Sequence, residues 1–519
     1  MTDGAPAATQ FTEAPGDSGL DAAHTPDRTY LHQLGYRQEL RRVLGFFSSF
    51  AVQWTCIAIA GGLALSLGAG LIQVGSLAFW AWLIGGGLQM IVGLSIAEGV
   101  SAYPLAGGSY QIINRILGGR RAIGWQVGWW LIVAHIAAVA TEAYGISPFI
   151  LSWFGITLTG HWETFGYAVI LIAASTVINL TAVKIAAAFN NSIGVIAEFI
   201  AIGIIIIGSL VAVAFGGAHF HSLSTLTNSG GILAHGQSAF LPFLFALLVP
   251  VFVISGFDVN GTAGEETEHA AKTVPRALIV ANFVTFGIGT VMILLTLLLM
   301  DNTVAAAHSP DVIRFVMTPV LGSPIATTFE VLAVVSLFVN MMILQLTAAR
   351  VMWAQARDGQ APFPRALTKL SKERVPVTAV IVAAVIAVLL IVWTGLLTVL
   401  LSMTAILWAA GYAVVVAVLI YAKRRNMLPA RPFSNGRWSP LVDWIALIWS
   451  VVFCAILIKS NPKDIGFGFL GTIVIGIVLY FVMIPSSRRG ILRDVRSEAE
   501  IDLAEPDSKW DPQSDSAAG

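Results

Sequence analysis

The chain has 519 residues, of which 56% are hydrophobic and only 11% are charged, whereas soluble domains carry roughly 25% charged residues. This composition excludes an ordinary water-soluble domain, because polar side chains are too few to cover its surface. The 29 basic residues balance the 29 acidic ones, so the net charge does not indicate a nucleic-acid partner. Cys56 and Cys454 both lie in apolar runs, where neither a disulfide framework nor a metal site is expected.

The chain begins with a polar stretch rich in Ala, Gly, Asp and Thr. No apolar core preceded by positive charge is visible there, so the sequence predicts no cleavable signal peptide. We predict a disordered tail over residues 1–42 and a second polar tail over 486–519.

Apolar runs recur between the two tails. Each is about 20 residues long, the length that a helix needs to cross roughly 30 Å of hydrocarbon. Because helices satisfy their own backbone hydrogen bonds in lipid, the predicted fold class is an all-α integral membrane protein. About twelve spans are predicted, at 43–67, 76–100, 122–146, 165–185, 192–215, 238–262, 277–300, 326–350, 376–396, 398–421, 441–459 and 466–485.

The positions of lysine and arginine predict the orientation, since these residues accumulate in cytoplasmic connections. With the amino terminus placed inside, all basic residues except Arg314, Lys459 and Lys463 fall on the inner side. We therefore predict a multi-pass protein of the cytoplasmic membrane, with an even number of spans and both termini in the cytoplasm.

Two spans contain sequences typical of interrupted helices. Residues 55–62 read TCIAIAGG in span 1, and residues 250–258 read PVFVISGFD in span 6. Broken helices near the bilayer midplane commonly bind a transported solute, whereas glycine alone often serves only close packing. Because the two segments occupy corresponding places five spans apart, as two inverted repeats require, their pairing favours a functional role.

Ionisable residues inside spans are costly and are functional candidates. Asp258 follows the span 6 break and could be solvated from a cavity, or could lie at the inner mouth. His135 and Glu142 are seven residues apart and share a face of span 3, as in a proton relay. For His135 alone a structural role is favoured, and Glu142, near the outer end, is expected at a solvated rim. Glu198 faces the bundle and either couples an ion or packs. Glu98 is expected to pair with a loop arginine.

The sequence contains no arrangement of residues typical of an enzyme. No glycine-rich loop followed by Lys-Ser or Lys-Thr is present to bind ATP phosphates, which argues against a primary pump. We predict no catalytic residue, no cofactor and no metal site.

Four segments resemble a known family. They read AE followed by SAYPLAGGSY in 97–110, GWW followed by YG in 128–145, SGFD, EET and VPR in 255–276, and ARDG followed by PF in 356–363. In order and spacing, the membrane region resembles the amino acid permeases of the amino acid, polyamine and organocation superfamily, and within it the amino acid and choline transporter branch.

The resemblance implies a five-plus-five inverted repeat with unwound helices 1 and 6. The repeats would span residues 43–215 and 238–421, and two peripheral helices would occupy 441–485. In such permeases, span 1 N–H groups hold the substrate carboxylate and span 6 carbonyls hold its amine, which agrees with helix-end charges. The substrate-binding residues implied or predicted here are Ala58, Ala60, Gly61, Gly62, His135, Ile254, Ser255, Gly256 and Phe257, and the ion-coupling or gating residues are Asp258 and Glu198.

Two departures from the family pattern concern the solute. Ala58 and then Gly61-Gly62 stand where the family often has Ser and then Thr-Gly, and His135 stands where the branch often has an amide. The predicted function is a secondary active transporter of an amino acid or related small amine, working by alternating access, with proton coupling and exchange both open.

Other functions remain open from the sequence. A polyamine or choline-like carrier is the nearest alternative, and a channel or a solute sensor on the same fold is another. A channel is disfavoured because no acidic ring or repeated filter motif is present. The expected partners are the small solute and membrane lipid, and the sequence leaves the oligomeric state open.

Overall fold

The computed structural model describes residue 42 and residues 44–118, 121–156, 158, 160–181, 193–371 and 375–484. The predicted tails therefore lie outside the described residues, apart from Arg42. Helices make up most of the described chain, whose only β-pairings are the isolated bridges Leu44–Thr267 and Leu370–Pro376. The all-α prediction is confirmed.

The described helices alternate between long apolar ones and short ones in the connections. In chain order they are α1 (Phe46–Ile57), α2 (Ile59–Val74), α3 (Ala78–Ala102), α4 (Ser109–Leu117), α5 (Arg121–Ser152), α6 (His161–Thr181), α7 (Val195–Ala214), α8 (Phe240–Ala246), α9 (Leu248–Val253), α10 (Asp258–Thr262), α11 (Ala270–Leu298), α12 (Thr303–Ala307), α13 (Val312–Leu321), α14 (Ser323–Arg357), α15 (Pro364–Leu367), α16 (Val377–Trp393), α17 (Leu397–Arg424), α18 (Ser439–Ser460) and α19 (Phe467–Val478).

Ten helical segments of the described chain are long and apolar enough to cross a membrane. The first runs over residues 46–102 and has 57 residues, about 85 Å at 1.5 Å per residue, which is far more than one crossing requires. It divides into two parts, one made of α1 and α2 and the other made of α3. Helix α16 has only 17 residues and is apolar throughout. If the first segment is counted as two crossings and α16 as one more, the total is the predicted twelve. That number stays a prediction.

Several helices extend beyond their predicted spans. The predicted span 8 ended at residue 350, but α14 continues to Arg357. Its last turns are polar, yet they stay helical because Arg350 binds Glu266 and Arg357 binds Glu265. Likewise α5 continues six residues past the predicted end at 146, with Pro148 inside the helix.

Burial separates the central helices from the outer ones. In its most apolar window, 89% of α17 is buried, against 39% for the segment containing α18 and 22% for the segment containing α19. Helix α5 packs against both α14 and α17. Helix α18 packs on α17 and α3. The peripheral place that the resemblance implies for the last two helices stays a prediction, because α6 and α7 are also poorly buried, at 28% and 33%.

A cluster of ion pairs fastens α18 and its preceding loop to the bundle. Buried Glu98 on α3 binds Lys423 of α17 at 2.8 Å and also binds Arg431 of the loop. Lys423 binds Asp443 of α18 at 2.7 Å, and Ser439 donates to Glu98 at 2.9 Å. The predicted pairing of Glu98 with a loop arginine is confirmed.

Removing the Glu98 carboxylate is expected to destabilise the protein. Replacement by alanine leaves the largely buried Arg431 without its carboxylate partner and Lys423 with Asp443 alone, and breaking a buried pair costs about 3–5 kcal/mol. We expect Glu98→Ala to lower the thermal unfolding midpoint of the detergent-solubilised protein. The matched control is Glu268→Ala, because Glu268 is exposed. Equal midpoints for the two variants would show that the cluster contributes little.

Candidate functional site

The predicted break in span 1 is present, and it is a single residue. Helix α1 ends at Ile57 and α2 begins at Ile59, and Ala58 between them has φ 44° and ψ 59°. This left-handed conformation costs a non-glycine residue about 1–2 kcal/mol, so the packing around fully buried Ala58 holds it in place. Strained backbone of this kind clusters at functional sites. The interruption is confirmed, but it is shorter than the predicted unwound segment.

The predicted break in span 6 is longer. Residues 254–257 separate α9 from α10, and Gly256 has φ 76°, a conformation that glycine adopts without strain. The Ser255 hydroxyl donates to the carbonyl of Val251 at 2.5 Å and accepts from the Gln89 amide at 2.9 Å. The break is thus fixed by its own side chain and by α3.

A closed cavity lies between the two breaks. Its lining comes from both broken spans and from three central helices: Cys56, Ile57, Gly62, Phe252, Val253, Ser255, Ala138, Glu142, Leu337, Asn340, Leu344 and Trp408. The cavity volume is about 10 Å³, which leaves room for about one water molecule. In this conformation a solute the size of an amino acid therefore cannot fit, and the helices around the cavity have to move to admit one.

Only some of the predicted substrate-binding residues line this cavity. Gly62 and Ser255 do. Gly61 instead packs on α14, where a Cβ would stand 2.5 Å from the Leu337 Cγ, and the Phe257 ring lies 5.4 Å from that of Tyr412. The remaining predicted residues are buried near the breaks without lining the cavity: Ala58, Ala60, His135, Ile254 and Gly256.

Glu198 binds the start of α2. One carboxylate oxygen accepts the Ala60 N–H at 2.7 Å, and the other accepts the Ser336 hydroxyl. The side chain is fully buried and joins α7, α2 and α14. An anion at a helix N-terminus is stabilised by the helix dipole and by unpaired N–H groups. Glu198 therefore already occupies one of the N–H groups that the resemblance assigned to the substrate.

Asp258, His135 and Tyr412 form a second polar group, which is also fully buried. The Tyr412 hydroxyl donates to one Asp258 oxygen at 2.7 Å, and His135 Nε2 lies 3.6 Å from the other. His135 Nδ1 lies 2.6 Å from the Leu131 carbonyl, which can only accept, so Nδ1 carries a hydrogen. His135 Nε2 and the second Asp258 oxygen have no hydrogen-bond partner among the described residues.

Glu142 is a cavity residue that the sequence analysis placed wrongly. It was expected at a solvated rim, but it is only 2% exposed. Its Oε1 accepts from the Asn340 amide at 2.7 Å, while Glu142 Oε2, Asn340 Oδ1 and Trp408 Nε1 have no partner among the described residues. The available signal was its seven-residue spacing from His135, which places both on the inward face of α5.

Comparison with known proteins identifies the family. A family model described as amino acid permease matches residues 44–480. This chain belongs to the amino acid permease family. The resemblance drawn from the four sequence segments is therefore confirmed, and the chain is a multi-pass membrane transport protein.

Similar proteins occur in plants and fungi. The permease is 26% identical to amino-acid permease BAT1 of Arabidopsis thaliana, over 84% of this chain and 89% of the relative. It is 27% identical to the amino-acid permease BAT1 homolog of Oryza sativa subsp. japonica, over 84% and 88% of the two chains. It is 24% identical to thiamine transporter thi9 of Schizosaccharomyces pombe, over 89% and 86%. The family and these names indicate a transporter rather than an enzyme.

Ion pairs close the permease at the carboxyl end of α14. Arg357 makes two hydrogen bonds of 3.0 Å to the Glu265 carboxylate, which also accepts the Ala106 N–H at 3.0 Å. Next to it, Arg350 binds Glu266 at 2.8 Å. Paired hydrogen bonds between arginine and a carboxylate are strong and directional. These ion pairs and hydrogen bonds connect three parts of the chain: the segment after α10, the loop that precedes α4, and the last turns of α14.

A second cluster closes the opposite end of α14. Glu330 accepts from Arg314 and from the Trp153 indole, both at 2.6 Å, joining α13 and the end of α5 to α14. Asp311 caps α13 by accepting the Arg314 N–H at 3.0 Å, and burial raises the pKa of this Asp311 carboxyl to about 7. Ion pairs therefore connect neighbouring segments at both ends of α14, and the cavity lies along the helix between them.

Proposed function

We propose that this permease is a secondary active transporter that moves an amino acid or a related small amine by alternating access. The observation that carries the proposal is the convergence of both helix breaks on one small cavity, with an ion-pair cluster at each end of the central helix α14. Opening either cluster alone would expose the cavity to one side of the membrane. Two clusters at opposite ends of α14 suit the alternating opening that such a transporter requires.

The broken spans also support the repeat organisation. Residues 43–215 and 238–421 would form two inverted five-helix repeats, with spans 1 and 6 as their first members. The sixth break offers carbonyl groups near Ile254, Ser255 and Phe257 to an amine. At the first break, the N–H group of Gly61 would have to serve a carboxylate, since that of Ala60 is bound to Glu198 and that of Gly62 donates to the Ala58 carbonyl at 2.6 Å.

For coupling, we propose a proton or an exchanged solute rather than sodium. Sodium needs several converging oxygen ligands, which related folds take from span 1 carbonyls and span 8 hydroxyls. Residues 336–347 of α14 contain no adjacent pair of hydroxyl residues, and the Ser336 hydroxyl is bound to Glu198. Asp258 and Glu198 are the candidate coupling or gating residues.

A second candidate function is a carrier of polyamines or choline-like cations. Two observations favour it: the cavity contains the buried carboxylate of Glu142, and one relative is named a thiamine transporter. Both candidate functions are tested by the uptake of radiolabelled amino acids and amines into liposomes containing the purified permease, with and without proton or sodium gradients. Saturable uptake of at least one solute supports transport, and none above protein-free liposomes contradicts it.

We place the permease in the cytoplasmic membrane with both termini inside, because only Arg314, Lys459 and Lys463 of the basic residues would lie outside. Single cysteines introduced as Leu20→Cys and Trp510→Cys should resist an impermeant thiol reagent in intact cells and react after lysis. The chain without an added cysteine gives the background. Labelling of either position in intact cells would reverse the orientation.

A further inference from the structure

We propose that the cavity takes a positively charged amine whose ammonium group binds Glu142, and that the solute needs no carboxylate. This inference rests on the proposed transport function and specifies its solute class. Among the solutes left open by the proposed function, it selects diamines and similar cations over neutral amino acids.

The first argument is the unsatisfied acidic group in the cavity. Glu142 is 2% exposed, and its Oε2 has no hydrogen-bond partner among the described residues. Asn340 holds the other oxygen at 2.7 Å and leaves its own Oδ1 without a partner there. A buried carboxylate without a compensating group is costly. An ammonium group has three N–H donors and no acceptor, so it suits two neighbouring acceptor oxygens.

The second argument is the absence of a positive group for a solute carboxylate. The residues that line the cavity include no lysine, arginine or histidine. The one side-chain donor there that lacks a partner in the described chain is Trp408 Nε1, which is neutral and cannot balance a carboxylate. The indole ring itself suits a cation, because aromatic rings attract positive charge. The lining therefore favours a cation over a zwitterion.

The third argument is the state of the α2 N-terminus. Glu198 is fully buried and accepts the Ala60 N–H at 2.7 Å, so a carboxylate of the protein already interacts with the positive end of this helix. A solute carboxylate would compete for the same N–H group and be repelled by a like charge. The chain thus supplies internally the anion that an amino acid would otherwise bring.

The test is uptake by proteoliposomes of the full-length permease, with putrescine as a diamine, lysine as a dibasic amino acid and alanine as a neutral one. Putrescine is expected to enter at least about tenfold faster than alanine at equal concentration, since a charge pair in a desolvated site is worth more than 1.4 kcal/mol. Entry of lysine alongside putrescine fits the inference. Entry of lysine without putrescine would show that a carboxylate is required and would overturn it.

Glu142→Gln tests the residue directly, because it keeps the size and removes the charge. It should raise the KM for putrescine at least about 30-fold, the effect of losing one partner of a buried charge pair, and Glu142→Asp should restore part of it. Glu268→Gln is the matched control, since Glu268 is exposed. An unchanged KM in Glu142→Gln, or faster entry of alanine than putrescine in the unmodified permease, would overturn the inference.

Putrescine binding separates this inference from the proposed function. If putrescine raises the thermal unfolding midpoint of the permease but not of Glu142→Gln, and yet no solute enters liposomes, the inference stands and transport fails. If alanine enters but putrescine neither binds nor enters, transport stands and the inference fails. The unfolding midpoint of Glu142→Gln without solute also shows whether the variant is folded.

Discussion

Replacing Gly256 by leucine is expected to abolish solute uptake while the protein still inserts into the membrane. Gly256 has φ 76°, and a Cβ added there would stand 3.0 Å from the Cys56 sulfur. The variant would therefore strain the span 6 backbone and overfill the contact between the two breaks. Costs of about 1–3 kcal/mol for each effect predict at least about a 30-fold slower uptake rate.

The matched control for this prediction is Gly287→Leu. Gly287 also lies in a membrane-spanning helix, but it is exposed, and a Cβ there meets nothing within 4 Å. Both variants should reach the membrane in similar amounts, and only the first should lose uptake. Normal uptake by Gly256→Leu would show that the span 6 break is not part of the solute path.

Replacing Asp258 by asparagine is expected to uncouple transport from the proton gradient. Asp258 is a fully buried carboxylate beside the span 6 break, and only one of its oxygens has a hydrogen-bond partner among the described residues, the Tyr412 hydroxyl at 2.7 Å. A proton bound and released there would couple transport to the gradient. Asparagine cannot give up or gain that proton, although it can still accept the Tyr412 hydroxyl. We therefore expect the variant to keep exchange of solute for solute and to lose uphill uptake.

The size of the proton gradient sets the expected accumulation of solute. One pH unit is worth 1.36 kcal/mol, so coupling to one proton allows about tenfold accumulation of a neutral solute at a gradient of one unit, with no membrane potential. Asp258→Asn should stop at a ratio of about one. Asp464→Asn, at an exposed position between α18 and α19, should behave as the unmodified permease. If Asp258→Asn still concentrates its solute, Asp258 is not the coupling group, and Glu198 and His135 become the next candidates.

The positions of both helix breaks could be predicted because they depend on local sequence. The Ser-Gly pair at 255–256 lies within the span 6 break, whereas the span 1 break is at Ala58 and the Gly61-Gly62 pair that pointed to it is helical. The depth of Glu142 could not be predicted in the same way. The apolar run seemed to end at 146, whereas α5 continues to Ser152, so Glu142 lies further from the helix end than its sequence suggested.

Contacts between distant segments could not be predicted from the sequence. Glu198 and Ala60 are 138 residues apart, as are Glu198 and Ser336, and no local pattern indicates that three helices meet there. The same holds for the pairing of Arg357 with Glu265, which explains why α14 stays helical beyond its apolar run. The family resemblance gave the order of the helices, but packing decides which polar groups face the cavity.

Solute counterflow tests alternating access most directly. Liposomes containing the permease are loaded with a high concentration of unlabelled solute and diluted into a trace of the same solute carrying a radiolabel, without any ion gradient. The account predicts a transient accumulation of label above equilibrium, which Gly256→Leu abolishes and Gly287→Leu preserves. Entry of label that rises only to equilibrium and does not saturate with concentration would indicate a channel and contradict the account.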